Sequence, residues 1–491
     1  MSAMLRQYSA ASLSALAGIF TRANLKRLVL LWLPVLLLSS FIGLCCVMLP
    51  WMLNAALIGA VVYAVVMLAS PWLGLFMYVV VILFAPDVKL ADVATAASLL
   101  AFCIHLLRLK KINYALPREV RWPLWGFAAL VLLSFVTAIA YFHTQIPYIY
   151  RDGRNFIYWL WLPLLAVYCG STPDGVRKLN RVMLAVAILV SVMALFAAVT
   201  GIQLAATGRV GSLETAGAAQ GAFTRVQMPG FPFVTWALVW LVVMMLYRRV
   251  NMAVGILLGG LLAAALVVNF GRALWVWTLI GMLIPVFFIG QSRTAKLLVT
   301  LVTVGALGIA ALAIAKPSTL DAIMVRMMSV KDEGGKNTSY GWREWENQDA
   351  VAALKRSPVI GVGMGGEYRN WIPILRVFAE HTRYIHESYL YIALKLGVFG
   401  LLLMLMVFWR AWRHGRRSMA LAEQEDRLPL LASLCVFPAW LGLCLTQPEL
   451  MLHSSVFFMT CILTVLLSSY RGRLLATAAQ AKHKSSWGAL A

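Results

Sequence analysis

The sequence is poor in charged residues, and acidic residues are the scarcest of them. Only 12% of the residues are charged, and 19 Asp and Glu stand against 42 Lys and Arg. Hydrophobic residues make up 62% of the 491 positions. Soluble domains are about half apolar and a quarter charged. This composition excludes a soluble globular fold and predicts a polytopic membrane protein.

Cysteines are few, and their positions exclude two further kinds of protein. All of them lie within apolar runs and none in the long polar segments, at positions 45, 46, 103, 169, 435, 444 and 461. We therefore expect neither a disulfide framework nor a cysteine-based metal site.

The net charge of +23 would suit a nucleic acid, but its distribution favours another explanation. Many Lys and Arg residues fall in short clusters between apolar runs, where such residues set the orientation of membrane helices. We expect membrane lipids, and no nucleic acid, among the partners.

Long apolar runs are what the sequence has in abundance. A spanning helix needs roughly 20 apolar residues, so the runs predict an all-α fold with about 12–14 transmembrane helices. They lie near residues 28–49, 54–70, 72–86, 91–107, 122–142, 155–170, 180–201, 232–247, 252–270, 273–290, 297–315, 387–408, 428–446 and 452–470.

The positive charges predict an orientation for these helices. With the N-terminus in the cytoplasm, 25 of the 42 Lys and Arg fall in cytoplasmic loops and termini, as membrane topology requires. Both termini are then cytoplasmic, and one large loop with short helices lies outside. This divides the chain into a transmembrane bundle, a large outer loop, C-terminal transmembrane helices and a basic cytoplasmic tail, at residues 1–315, 316–386, 387–470 and 471–491.

The outer face collects arginines close to membrane boundaries. Guanidinium groups bind phosphate through paired hydrogen bonds and stay charged at physiological pH, so this surface suits a diphosphate. Interfacial arginines that reach lipid headgroups would give the same pattern. Arg272 is the most informative, because it precedes an apolar run, and ionisable groups at membrane depth usually face a protein interior or a wet cavity. The set is Arg151, Arg154, Arg209, Arg225, Arg272, Arg343, Arg369, Arg376 and Arg383.

His386 opens the predicted helix 387–408, with Tyr389 one turn on. Histidine can accept or relay the proton of a sugar hydroxyl near neutral pH, although a His at a helix start is more often a capping or interfacial residue. Glu387 points about 100° around the helix, so it is not assumed to orient His386. His381 is a possible second polar contributor. Lys395 faces either a cavity or a polar group on a neighbouring helix.

The segment Gly361-Val-Gly-Met-Gly-Gly366 matches the dinucleotide fingerprint G-x-G-x-x-G. It lacks the strand–turn–helix context that the fingerprint needs. The glycines instead predict a tight turn that lets two backbones approach closely, and no cofactor is expected.

Several stretches between residues 269 and 400 resemble the O-antigen ligase and polymerase superfamily. The Asn269-Phe-Gly-Arg272 turn is similar to the Ser-Arg element of that family. The signature loop of the family is similar to Arg343 with Trp345, AVAALKRSP, Pro358-Val-Ile-Gly-Val-Gly363, His386-Glu-Ser-Tyr-Leu390 and Leu396-Gly-Val-Phe-Gly400.

The resemblance implies a glycosyltransferase of the GT-C type in the bacterial inner membrane. Such an enzyme moves a glycan from undecaprenyl diphosphate to an acceptor on the periplasmic side, without a metal or a nucleotide sugar. Arg272 and Arg343 would contact the diphosphate, with Arg225 or Arg383 assisting, and His386 would activate the acceptor hydroxyl in an inverting displacement. The sequence departs from the family at Glu387, where Asn is usual, and at Lys395, where an acidic residue is common.

The sequence does not identify the acceptor of the glycan. A ligase transfers the glycan to a lipid A core, whereas a polymerase transfers it to another lipid-linked glycan, including exopolysaccharide repeats. Both need the same donor and the same residues. A secondary transporter is the alternative from another class, but repeated halves with matching helix breaks, which are usual in transporters, are not visible.

Overall fold

The computed structural model describes residues 51–85, 87–109, 116–172, 174–205, 209–212, 224–288, 317–328, 339–372, 381–422 and 424–468, and the single residues 112, 114, 295, 299 and 305. The predicted helix 28–49, nearly all of 297–315, the tail 471–491 and Arg376 lie outside them.

The chain divides into two compact units, residues 1–69 and 70–491. In the first, helix α1 spans Trp51–Ala69. The second contains α2 (Pro71–Phe84), α3 (Val88–Leu107), α4 (Arg118–Ala140), α5 (Ile146–Ile157), α6 (Trp161–Ser171), α7 (Gly175–Thr200), β1 (Arg209–Ser212), β2 (Thr224–Gln227), α8 (Phe231–Leu246), α9 (Met252–Asn269), α10 (Arg272–Leu283), α11 (Pro317–Met328), α12 (Ser339–Arg356), α13 (Ser388–Ser418), α14 (Gln424–Leu443) and α15 (His453–Ser468).

The described apolar runs are helices, and the predicted all-α polytopic membrane fold is confirmed. A helix satisfies its backbone hydrogen bonds internally, which the bilayer core requires. Among the described residues six helices are long and apolar enough to cross a membrane, and five apolar helices are shorter. The predicted span 155–170 differs in detail, because a 3₁₀ turn at Tyr158–Leu160 separates α5 from α6.

A small β-hairpin interrupts the helical fold and was not predicted. Strands β1 and β2 pair antiparallel, with Val210 opposite Val226 and Gly211 opposite Arg225. Val226 is fully buried, so the hairpin packs its apolar side inward and holds Arg225 at a fixed position.

Buried aromatic rings form part of the core of the second unit. The indole N–H of Trp161 donates to the Tyr78 hydroxyl (3.0 Å), and Phe457 packs edge-on against both rings. Because these residues come from α6, α2 and α15, the cluster ties three helices together.

The helices of the second unit meet at two ends, which we call the site end and the basic end. At the site end, the Ser388 backbone N–H donates to the Cys444 carbonyl (3.0 Å), so the start of α13 lies beside the chain that follows α14. Gly281 packs against Ala439 and Trp277 against Gly442, so α10 and α14 are antiparallel. The first residue of α10 therefore also lies at the site end.

The basic end is formed by the opposite ends of these helices. Arg410 on α13 donates to the Glu119 carbonyl (2.6 Å) at the start of α4. Arg177 at the start of α7 pairs with Glu425 at the start of α14 (2.7 Å). The positively charged segments that contain Arg177 and Arg410, both predicted to be cytoplasmic, therefore lie at the same end of the unit.

Helix α13 is broken at Gly397, where the backbone is left-handed (φ 71°). The break leaves the Leu394 carbonyl and the Val398 N–H without their helical hydrogen bond to each other, and both bind the loop that precedes α13 instead. The Val362 N–H donates to the Leu394 carbonyl (2.7 Å), and the Val398 N–H donates to the Pro358 carbonyl (2.9 Å).

The glycines of the loop make this close approach possible. Gly361, Gly363 and Gly365 all have positive φ, at 66°, 76° and 70°. A Cβ on Gly361 would overlap the Leu394 carbonyl oxygen. The predicted tight turn is confirmed, and it packs into the break in α13.

Candidate active site

His386 lies two residues before the start of helix α13, and Glu387 between them caps this helix. The Glu387 carboxylate accepts hydrogen bonds from the backbone N–H groups of Tyr389 (3.2 Å) and Leu390 (2.5 Å). These donors have no partner within the first turn of a helix, which is why polar side chains are favoured at this position. Glu387 thus fixes the helix start and, with it, the backbone position of His386.

The imidazole ring of His386 is oriented by Glu346 on α12. The His386 Nδ1 atom lies 2.7 Å from Glu346 Oε2, and the His386 backbone N–H donates to the same oxygen (3.3 Å). The His386 side chain is 29% exposed and that of Glu346 is fully buried. With Nδ1 bonded to the carboxylate, Nε2 is the nitrogen left for a substrate.

Glu346 is held by further N–H donors. The Trp342 indole donates to Glu346 Oε1 (2.8 Å), and Arg369 Nη2 lies 3.4 Å from the same oxygen. The Arg369 guanidinium also covers the Trp342 ring, 4.7 Å from its centroid. All these partners are N–H groups, as an acceptor-only carboxylate requires. Nδ1 of His386 is therefore the protonated nitrogen.

Glu346 was not predicted, because a carboxylate within a polar helix does not by itself stand out from its neighbours. One signal was available: Glu346 follows Arg343 by three residues and so lies on the same helix face. Arg369 was counted only among the outer arginines, whereas it is buried and joined to both Glu346 and the His381 carbonyl (Nε to oxygen, 2.6 Å).

Arg343 lies one helical turn before Glu346 and is partly buried. Its Nη1 donates to the Thr446 carbonyl (2.9 Å), in the segment that follows α14. Because the same segment contacts Ser388 at the start of α13, Arg343 and His386 lie on one side of the site end. The structure thus brings these two predicted residues together.

Arg225 and Arg272 form a second cationic group. The Arg225 Nε–H donates to the Asn269 carbonyl (3.2 Å), and the Asn269 side-chain amide donates to the Val226 carbonyl (3.2 Å). Arg272 starts helix α10 three residues after Asn269 and is partly buried. The hairpin therefore holds Arg225 against the turn that leads into Arg272, at the site end.

Arg383 belongs to a different cluster. Its Nη2 lies 2.6 Å from Glu367 Oε1, its Nε–H donates to the Gly365 carbonyl (2.9 Å), and its Cζ lies 3.6 Å from the centroid of the Tyr148 ring. Arg383 lines a cavity of about 770 Å³ that we call the loop cleft. Its assignment to the diphosphate stays a prediction, and its carboxylate partner favours another role.

The loop cleft is bounded by the α4–α5 connection, the end of α12, the glycine turn and the chain before α13. Its lining residues are Phe142, His143, Thr144, Gln145, Tyr148, Ala353, Arg356, Ser357, Gly361, Val362, Gly365, Gly366, Glu367, Trp371, Thr382 and Arg383.

The remaining candidates have structural partners. His381 is buried, and its Nε2 accepts the Ile372 backbone N–H (2.8 Å). The Tyr389 hydroxyl donates to the Leu441 carbonyl (2.6 Å). Lys395 is fully buried, and its Nζ lies 2.8 Å from Asp152 Oδ2 and 2.9 Å from the Gly366 carbonyl. Of the two alternatives for Lys395, the polar partner on a neighbouring helix is the one observed.

Two carboxyl groups near the start of α13 have raised pKa values. Burial raises the pKa of Glu387 to about 7, partly opposed by its two backbone N–H donors. Burial also raises the pKa of Glu449, again to about 7, and a hydrogen bond from Ser455 partly opposes the rise. Both groups can change charge near neutral pH.

Metal ligands are not clustered in the part of the chain that the structure describes. No group of three His, Cys, Asp or Glu side chains there is arranged to hold a metal ion. The five cysteines within those residues are free.

No curated protein matches the chain. Residues 257–405 match the family model described as O-antigen ligase. This range contains Arg272, Arg343, Glu346, Arg369 and His386, together with the glycine turn that fills the break in α13. Over these residues the match supports the resemblance to the O-antigen ligase and polymerase superfamily that the sequence indicated.

Proposed function

We propose that the protein is an O-antigen ligase, which moves a glycan from undecaprenyl diphosphate to a hydroxyl of a lipid A core at the periplasmic face of the inner membrane. The observation that carries this proposal is the pairing of His386 with buried Glu346, one helical turn from Arg343, inside the segment that matches the ligase family.

His386 acts as the general base in the proposed reaction. The acceptor hydroxyl gives its proton to His386 Nε2 as its oxygen bonds to the anomeric carbon. The bond from that carbon to the diphosphate oxygen breaks, and the electron pair leaves with the diphosphate, so the configuration inverts. Glu346 holds Nδ1–H and stabilises the imidazolium that forms.

The arginines act on the leaving group. Fixed cations aimed at developing negative charge are usually the largest catalytic contribution. Arg343 and Arg225 are held by the Thr446 and Asn269 carbonyls, and Arg272 begins α10 at the site end. Arg272 also starts a helix, where the N-terminal N–H groups favour an anion. This arrangement supports transfer without a metal ion.

The proposed orientation places the basic end in the cytoplasm and the site end in the periplasm. Positively charged short loops stay in the cytoplasm, and the contacts of Arg177 and Arg410 gather such loops at the basic end. The donor lipid then reaches the site from the outer leaflet.

The break in α13 does not favour a transporter. Broken helices in transporters leave backbone groups that coordinate substrate or ions. Here the Val362 and Val398 N–H groups and the Leu394 and Pro358 carbonyls bond to each other across the break.

Gene deletion separates the ligase from the polymerase. Loss of a ligase leaves long polymer on the carrier lipid, which we expect. Accumulation of single repeats on the carrier would identify a polymerase, and normal surface glycan with no lipid-linked intermediate would exclude both. Complementation with the His386→Ala variant, at matched expression, is the control.

A further inference from the structure

We propose that the loop cleft binds an oligosaccharide attached to one of the reacting molecules. This rests on the proposed function and adds a binding site for the sugars that do not react. The cleft, at about 770 Å³, is within the range of about 300–1,000 Å³ that ligand pockets occupy.

The cleft lies at a useful distance from His386. Helix α12 carries Glu346 beside His386 and, further along, Ala353 and Arg356 in the cleft wall. Seven to ten residues at 1.5 Å each give about 10–15 Å along the helix. A sugar chain can therefore occupy the cleft while its terminal unit lies beside His386.

Trp371 provides an exposed aromatic surface in this cleft. The Trp371 side chain remains 49% exposed although its ring packs against the His381 imidazole, 4.5 Å between centroids. An indole ring held in place on one side presents a rigid apolar surface to the C–H face of a sugar.

Polar side chains that line the same cleft are fixed in positions where they can hydrogen-bond to sugar hydroxyl groups. The Arg383 guanidinium is fixed by Glu367, by Gly365 and by the Tyr148 ring. Thr382 Oγ1 donates to Glu367 Oε1 (3.3 Å). Donors and acceptors alternate in this cluster, and a sugar hydroxyl can use both.

The chemistry of the lining favours a polyhydroxyl ligand over a phosphate or an acyl chain. Glu367 neutralises Arg383 and would repel a phosphate at that point. The fixed ionic cluster at the wall is unfavourable for a hydrocarbon chain. An aromatic surface combined with guanidinium, carboxylate and hydroxyl groups therefore favours an oligosaccharide as the ligand.

The test measures sugar binding without turnover. The probes are the lipid-free repeat-unit oligosaccharide and the lipid-free core oligosaccharide of the producing cell. Each is titrated into purified full-length His386→Ala protein and followed by saturation-transfer NMR and calorimetry. We expect saturable binding that weakens at least tenfold when Trp371→Ala is added and is kept with Trp371→Phe. Arg356→Ala, an exposed change in the same wall, weakens it about threefold. Trp409→Ala, an exposed tryptophan on α13 towards the basic end, is the matched control.

A second arm identifies the source of the sugar. In the active protein, Trp371→Ala raises the KM of the donor if the cleft holds donor glycan, and the KM of the core acceptor if it holds acceptor sugar, with kcat within twofold. Absence of saturable binding by both probes, or equal binding with Trp371→Ala, Arg356→Ala and Trp409→Ala, overturns the proposal. If the wild type transfers no glycan to a core acceptor but a probe binds, the proposed function fails and the sugar site stands.

Discussion

At the scale of the residue, the catalytic assignment depends on a carboxylate that composition and spacing do not reveal. Glu346 is fully buried, and its oxygens accept N–H groups from Trp342, Arg369 and His386. A buried charge in such a network is costly unless every partner is present. This explains why the ring of His386 has one orientation before any substrate is bound.

Replacing Glu346 with Gln tests this role. The amide keeps the shape but lacks the charge that stabilises the imidazolium, so we expect kcat to fall about 10- to 1,000-fold with a donor KM within threefold. Steady-state transfer kinetics check this, and Glu346→Asp should recover part of the rate. Glu344→Gln, an exposed change on the same helix, should behave like the wild type. Equal kinetics for both Gln variants would remove Glu346 from the mechanism.

The raised pKa values of Glu387 and Glu449 predict how stability depends on pH. Each rises from 4.5 to about 7 through burial. Between these pKa values the folded state binds more protons than the unfolded state. The free energy of unfolding therefore falls as pH increases from about 4.5 to 7, and the contribution of these two groups is constant above that range. Each group contributes about 3 kcal/mol to this loss.

Thermal unfolding in detergent measures the effect. The melting temperature of the wild type should fall between pH 5 and pH 8, Glu387→Gln should remove part of the fall, and Glu387→Gln with Glu449→Gln should remove most of it. A double variant with an unchanged pH profile would show that neither carboxyl titrates in this range.

At the scale of the element, apolar length was predictable and mutual contact was not. The runs that became α3, α4, α7, α9, α13 and α14 carry their own signal, because a membrane span needs about 20 apolar residues. The glycine turn was also readable, since positive φ is easy only for Gly. The packing of this turn into the break of α13 could not be predicted. The backbone hydrogen bonds from Val362 to Leu394 and from Val398 to Pro358 join parts of the chain that are distant in sequence.

Gly397→Ala tests how much the packing of the glycine turn into the break of α13 contributes. An alanine would carry a Cβ at φ 71° that overlaps the Val359 carbonyl oxygen, so the loop must move away from α13. We expect a loss of about 2–4 kcal/mol in unfolding free energy and reduced transfer, because the loop connects to α12 and Glu346. Thermal unfolding and a transfer assay measure both. Gly260→Ala, with open space around its Cβ, is the matched control, and equal stability of the two variants would contradict this interpretation.

At the scale of the whole molecule, the second unit has its basic short loops at one end and its proposed chemistry at the other. Contacts at the basic end join the start of α4 to the later part of α13 and the start of α7 to the start of α14. Contacts at the site end join the starts of α10 and α13 to the end of α14. The sequence predicted the charge clusters that set this polarity. It did not predict that Arg225 binds the Asn269 carbonyl three residues before Arg272, or that Arg383 lines a separate cleft, since both depend on packing between distant segments.

The most direct test of the central claim is a transfer assay with purified protein, an undecaprenyl-diphosphate-linked glycan and a lipid A core acceptor. We predict that the wild type forms the linked product and that His386→Ala lowers kcat at least about 100-fold, while the variant stays folded and still binds the donor. Product formation by His386→Ala at the wild-type rate, at equal protein concentration, would contradict the account.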